Sequence, residues 1–440
     1  MLSVTRPRGP RAARPPQGLG AAAPVLALCW TAVFFDGFDV MVYGAVMPYM
    51  LDDTGFGLDP ATAGTIGSWT TFGMLLGALG AGNTMDWFGR RPMTVSCVVV
   101  FSVGSGVCAL AGDPVSFGAG RFLAGLGLGG LLPTCLAVVA EFAPAGRVAL
   151  ATGVLMTAYH AGGMTATGIG LAVAPSHGWR WAFAAGVLPA VPAVLLLLLR
   201  MPESPAVLYS RGHADRAADT AERYGLPLPE AADTPTGGVS GRLRAVADLV
   251  DAGRRRTTLL LWVASFCGLM LVYGVSTWLP QLMRSSGYGL DSSVGLLMVV
   301  NAGGIVGMLV AGKVAGRFGA APVAGVWFAL TAVSMLLLGT RPPLAVAYCV
   351  IALAGVWLFS AGTMVYAAAG RLYPPALRAP GIGWVTGIGR LGAVVSPWLG
   401  GVLVSRGREE WGFAVFALAG LVGAVTVLLA VPRSRPGAST

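Results

Sequence analysis

Charge is scarce in this chain of 440 residues: 11% are Asp, Glu, Lys or Arg, against about a quarter in soluble globular domains. With 55% hydrophobic residues and a mean hydropathy of +0.73, that shortage excludes an ordinary water-soluble domain and leaves a chain that crosses a membrane many times. Histidine is limited to three residues and no pair of the six cysteines has C-x-x-C spacing, which argues against a metal centre or a disulfide framework. Cys29, Cys97, Cys108, Cys135, Cys267 and Cys349 all lie in apolar runs, where a thiol packs like a small hydrophobe. No G-x-x-x-x-G-K-[ST] loop is present, which excludes transport driven by ATP through such a loop. No nucleophile–base or metal constellation supports an enzyme. A short repeat or a low hydrophobicity would mark a solenoid or a disordered polymer, and the sequence has neither.

What is present is a series of long apolar runs. They predict an all-α membrane protein of twelve spans, at 24–50, 60–84, 92–112, 116–140, 148–173, 179–200, 257–283, 291–313, 321–340, 343–370, 379–404 and 410–431. Residues 1–20 read as a disordered tail and 21–200 as a first six-helix bundle. The stretch 201–256 reads as a polar central loop, 257–432 as a second bundle and 433–440 as a tail. Within the loop, 213–224 and 242–253 are candidate surface helices. The first apolar run is long and carries two acids, so it is read as an uncleaved helix rather than a signal peptide. The 29 basic residues sort by side: 22 fall on the side of the termini, five on the other, and Arg121 and Arg390 lie within spans. That asymmetry predicts a plasma-membrane protein with both termini cytoplasmic. It also argues against nucleic acid as the partner of the +10 net charge, because a binding surface would not alternate loop by loop.

The two bundles repeat at an offset of about 230 residues. Gly77, Ala81, Gly82, Phe88, Gly89 and Pro92 recur as Gly307, Ala311, Gly312, Phe318, Gly319 and Pro322, and Val42-Tyr43-Gly44 recurs as Val272-Tyr273-Gly274. Six helices per unit bring the second unit in with the orientation of the first. The expectation is a parallel repeat with a site between the halves.

Inside the first span stand Asp36 and Asp39, three apart and so on one helix face. A carboxylate within a membrane helix must be paired, hydrated or protonated. At a rise of about 1.5 Å per residue, Asp36 lies about 18 Å and Asp39 about 22 Å from the start of its span, while Arg121 lies about 8 Å from the opposite end of an oppositely directed span. Asp39 and Arg121 are therefore predicted to sit at one height and to face each other, with Asp36 nearby. The competing reading is a static ion pair that fixes helix register. Arg390, near the middle of the eleventh span, has no acid predicted in its own bundle. An anionic substrate is its simplest partner, and backbone carbonyls or an acid of the other half are the alternatives.

The stretch Gly82-Asn83-Thr84-Met85-Asp86-Trp87-Phe88-Gly89-Arg90-Arg91-Pro92 resembles the G-x-x-x-D-R-x-G-R-R loop of the major facilitator superfamily, with Trp87 where Arg is usual. That resemblance implies a cytoplasmic gate of Asp86, Arg90 and Arg91, joined by Glu141, Arg147 and the Glu203 of Pro202-Glu203-Ser204-Pro205. In the second copy Gly316 replaces the acid, which implies a weaker gate there. Within the superfamily, Asp36-Gly37-Phe38-Asp39, Gly120–Gly130, Thr277-Trp278-Leu279-Pro280 and Gly381–Arg390 resemble the aromatic acid/proton symporters.

The resemblance implies proton-coupled uptake of a hydroxybenzoate-like carboxylate by alternating access. Asp36, Asp39 and Arg121 would handle protons and Arg390 would hold the carboxylate. His160, Tyr43, Trp384, Tyr273 and Trp278 are further candidates for substrate contact, with Trp357 and Tyr366 also in the relevant spans; packing is the alternative for each. No cofactor and no protein partner are expected; the driving force is the proton gradient and the unit a monomer in the bilayer. A symporter of another organic acid, sugar or metabolite is the alternative. A proton-exchange exporter and a transporter-like sensor stand behind it.

Overall fold

The computed structural model describes residues 20, 22–188, 190–227, 248–251 and 253–431. Its elements are all helical: α1 (Ala23–Asp52), α2 (Pro60–Phe88), α3 (Arg90–Leu110), α4 (Pro114–Phe142), α5 (Val148–His177), α6 (Arg180–Val187) and α7 (Ala190–Arg200) come first. Two short helices follow, α8 (Pro205–Ser210) and α9 (Ala214–Tyr224). Then come α10 (Arg255–Ser285), α11 (Leu290–Phe318), α12 (Ala320–Gly339), α13 (Leu344–Leu372), α14 (Pro375–Ser405) and α15 (Glu410–Leu429). Ten spans among the described residues, α6 and α7 counting as one, are long and apolar enough to cross a membrane; α2 and α5 have the length but a more polar, Gly- and Thr-rich sequence. Over the sixth span the described residues form two helical stretches, Arg180–Val187 and Ala190–Arg200. The predicted surface helix 213–224 is α9, whereas most of the predicted 242–253 helix lies outside the described residues.

The turns at the end of the molecule opposite the termini (the far end) are closed by side-chain caps. Asp59 accepts from the backbone amides of Ala61 and Thr62 at 2.9 and 3.1 Å, and Asp113 from those of Val115 and Ser116 at 2.9 and 3.0 Å. Each is followed by a proline at the first helical position, which has no amide to leave orphaned. Hydrogen bonds from Thr62, its hydroxyl above all, hold the Asp59 carboxyl below the usual carboxylate range.

The internal repeat is visible in three dimensions. Gly73 and Gly77 bring α2 so close to α4 that an added Cβ would lie 2.4 and 2.1 Å from the carbonyl oxygens of Phe122 and Leu126. Gly303 and Gly307 do the same between α11 and α13, at 2.2 and 2.3 Å from the oxygens of Ala352 and Val356. Every one of those residues has its counterpart at the same offset. Gly89 and Gly319 join the matching helix pairs with φ of +92° and +87°, a backbone that only glycine adopts without strain.

The halves meet along α2 with α14, α5 with α11 and α1 with α10. At the far end the seam is tight: a Cβ on Gly64 would lie 2.8 Å from the Cα of Gly401, and one on Gly44 would lie 2.0 Å from the Ser276 oxygen. Gly82 and Gly383 lie five helical turns (about 18 residues) from Gly64 and Gly401, on the same faces and toward the termini. Among the described residues nothing lies within 4 Å of either Cβ position. The two halves are closed at the far end and apart at the end that carries the termini.

Candidate functional site

Asp39 on α1, Ser105 on α3 and Arg121 on α4 form one buried group. Arg121 Nη1 donates to Asp39 Oδ2 at 2.7 Å and Nη2 to the Asp39 carbonyl at 3.3 Å, while the Ser105 hydroxyl donates to Asp39 Oδ1. The rings of Tyr43 and Phe183 lie 5.6 and 5.7 Å from the guanidinium carbon and close the group with cation–π contact. Asp39 is 3% and Arg121 1% exposed, so the charges are compensated by each other and not by water.

Asp36 is buried as well, but its Oδ1 has no hydrogen-bond partner among the described residues. Besides Asp39, the charge acting on it is that of Arg390, on α14 of the other half. Tyr159 on α5 and Tyr273 on α10 lie within electrostatic reach of both Asp36 and Arg390, and Tyr366 on α13 within reach of Arg390. Met74 on α2 ties this second group together. Its sulfur accepts from the Tyr273 hydroxyl at 3.7 Å, and its carbonyl takes a long contact from Arg390 Nη1 at 3.5 Å. Arg390 therefore does not stand alone: it shares its surroundings with an acid of the first half and three tyrosines from three helices.

The remaining substrate candidates are placed differently. Tyr43 spends its hydroxyl on the Ala63 carbonyl at 2.7 Å and its ring on Phe117 and Arg121. Trp278 is fully buried, donates Nε1 to the Pro397 carbonyl at 2.9 Å and packs on Gly400. Both polar handles are committed to backbone carbonyls and are not free to meet a substrate. Trp384 shares an exposed stripe with Leu391, Val395 and Trp398, at i, i+7, i+11 and i+14, and leans on Trp262 at 5.9 Å. Arg390 is about 120° around the helix from that stripe. An exposed apolar stripe on a membrane helix faces lipid, so the expectation that Trp384 covers a ring held by Arg390 does not fit its position. His160 lies in the seam, with Nδ1 3.1 Å from Asn301 Oδ1 on α11, its ring 4.5 Å from that of Phe359, and Nε2 without a partner among the described residues.

A family model described as Major Facilitator Superfamily matches residues 29–379 and 302–440. The chain belongs to the Major Facilitator Superfamily. Among its relatives in this superfamily is the gentisate transporter of Corynebacterium glutamicum, 32% identical over 94% of this chain and 89% of that one. Another is the benzoate transport protein of Acinetobacter baylyi, 32% identical over 92% of this chain and 88% of that one. Of solved structures, a partially occluded inward-open conformation of the Escherichia coli xylose transporter superposes with a TM-score of 0.73. It covers 93% of this chain and 99% of that one at 18% identity, a likeness of fold.

The superfamily's loop after α2 is held in place from two directions. Arg90 Nε pairs with Glu141 Oε1 at 3.0 Å, and Glu203 Oε1 accepts from the backbone amides of Arg90, Arg91 and Ser204 at 2.8, 3.4 and 2.9 Å. Glu203 is thus the cap of α3, a helix whose own first residues offer no side-chain acceptor. Gly89 is required beneath it, because a Cβ there would lie 2.3 Å from Glu203 Oε2. The Arg91 guanidinium donates to the Leu198 carbonyl and that of Arg211 to the Trp87 carbonyl. Arg147 is exposed on the turn before α5, and the Asp86 side chain lies outside the described residues. Replacing Glu203 by alanine is expected to lower stability by about 1–2 kcal/mol, the usual cost of a lost cap. Thermal unfolding of the detergent-solubilised protein reads it, and an unchanged midpoint would show that the cap is dispensable.

Sequence reasoning missed Ser105, Asn301, Tyr159 and Met74. Asn301 is an isolated amide within an apolar run, a signal that was available; the other three carry none that sets them apart from packing residues.

Proposed function

We propose that this chain is a secondary transporter that takes up an aromatic carboxylate together with protons by alternating access. The observation that carries the reading is the placement of Arg390 with Asp36 and three tyrosines at the junction of the halves. It is supported by kinship with carriers named for gentisate and benzoate. Arg390 holds the carboxylate through paired N–H···O bonds, and tyrosine rings with hydroxyl edges cover an aromatic ring and meet its substituents. Asp36 carries the exchangeable proton, because its oxygen is unclaimed whereas both oxygens of Asp39 are taken. Asp39 and Arg121 set the position of α1 and the field around Asp36. No cofactor takes part, the proton gradient drives accumulation, and the working unit is a monomer. Both termini lie in the cytoplasm of a cell with this protein in its plasma membrane, so the opening at the terminal end faces inward.

Uptake of radiolabelled gentisate and benzoate by cells expressing the protein tests this directly, with xylose as the comparison and a protonophore added in parallel. The expected result is accumulation of at least one acid that the protonophore abolishes. Accumulation of xylose alone, or acid accumulation indifferent to the protonophore, would overturn it.

A further inference from the structure

Among the contacts that close the far end, one has an unusual form. The Ser68 hydroxyl, on α2 of the first half, donates to the Val394 carbonyl at 2.6 Å and accepts from the Trp398 amide at 3.0 Å. Those two groups are four residues apart on α14, the carbonyl and amide that complete a helical turn with each other. A side chain from the other half therefore contacts both ends of one link in this helix's own ladder, and a side chain inserted there is a known way to bend a helix. The site is prepared by sequence: Pro397 has no amide, so the neighbouring Ala393 carbonyl already lacks its helical donor and the turn is weak. Close approach is prepared as well. A Cβ on Gly67 would lie 2.8 Å from Pro397 Cβ, and Gly64 touches Gly401 one turn away. Nearer the far surface of the same seam, Asp52 and Arg284, at 2.8 Å, join the ends of α1 and α10.

We propose that Ser68 is the latch of the far end: its hydroxyl completes a weakened turn of α14 while that end is closed, and Val394 and Trp398 re-form their own bond when it opens. The exchange lets the helix change shape without leaving a backbone group unsatisfied in the membrane, where each such group is costly. It rests on the alternating-access part of the proposed function and not on the identity of the substrate.

The test measures the far end alone. Nitroxide labels at Val115 and Trp411, exposed positions near the far ends of the two halves, report its opening as a distance distribution by pulsed electron spin resonance in proteoliposomes. A Cys349→Ser background removes the one exposed native thiol among the described residues; the other five are buried. Ser68→Ala is expected to lower the ratio of short to long distances roughly tenfold, as for a bridge whose loss leaves polar groups to be re-satisfied. Thr71→Ala removes a neighbouring hydroxyl that bonds only within α2, to Gly67 and Ser68 at 3.2 and 3.0 Å, and is expected to change nothing. If Ser68→Ala is not recovered as folded protein, Ser68→Cys serves, since a thiol is too weak a donor and acceptor to bridge. A distribution unmoved by either Ser68 variant, or moved equally by Thr71→Ala, would overturn the latch. Failure of acid uptake in the transport assay would leave it standing.

Discussion

Arg390→Ala is expected to abolish uptake while leaving the protein in the membrane. Arg390 is only partly buried and, among the described residues, its one hydrogen bond is the long one to the Met74 carbonyl, so removing it breaks no strong internal bond. What it removes is the only guanidinium beside Tyr159, Tyr273 and Tyr366 among the described residues. Two charge-assisted hydrogen bonds to a carboxylate, at about 1.5 kcal/mol each, correspond to roughly 100-fold in affinity. Calorimetric titration of the purified variant with benzoate or gentisate reads this. Arg390→Lys keeps the charge but not the planar fork and is expected to fall in between. Binding by the alanine variant at wild-type affinity would remove Arg390 from the site.

Asp39→Asn is expected to act on two quantities at once. It leaves Arg121 buried beside a neutral amide, and breaking a buried pair from one side costs about 3–5 kcal/mol, visible as a lower unfolding temperature. It also removes a charge from the immediate surroundings of Asp36, so accumulation driven by a proton gradient is expected to be lost even where the folded variant is recovered. Asp36→Asn separates the effects: its Oδ1 has no partner to lose, so coupling should fail with little change in stability. Proton-driven accumulation at the wild-type level in Asp39→Asn would show that Asp39 has no part in coupling.

These contrasts show which features of the site could be read from the sequence. Depth along a helix follows from a fixed rise per residue, so counting along two oppositely directed spans put Asp39 level with Arg121, and the structure has them 2.7 Å apart. Direction around a helix does not follow until the neighbours are known. Trp384 and Arg390 are six residues apart, yet one looks out to lipid and the other toward Met74. Tyr43 and Trp278 are aromatic residues in the right spans whose polar atoms are claimed by backbone carbonyls, and only coordinates reveal that. The helices and the repeat were legible because apolar length and glycine spacing are local signals. The opposition of Asp36 and Arg390 was not, because it depends on how two halves that never touch in sequence are placed side by side.

Glu203 has a consequence for how the chain can be divided. It follows the last helix of the first bundle, yet its carboxylate caps α3, and a little further on Tyr224 of α9 packs edge-on against Phe142 of α4 at 5.2 Å. The stretch from Pro202 to Leu226 thus travels with the first bundle although it lies beyond its last membrane helix. A carrier expressed as two separate polypeptides should be cut after this stretch. A cut at Arg200 would hand the cap of α3 to the wrong piece and leave Arg90 and Arg91 with bare amides at the mouth of the open end.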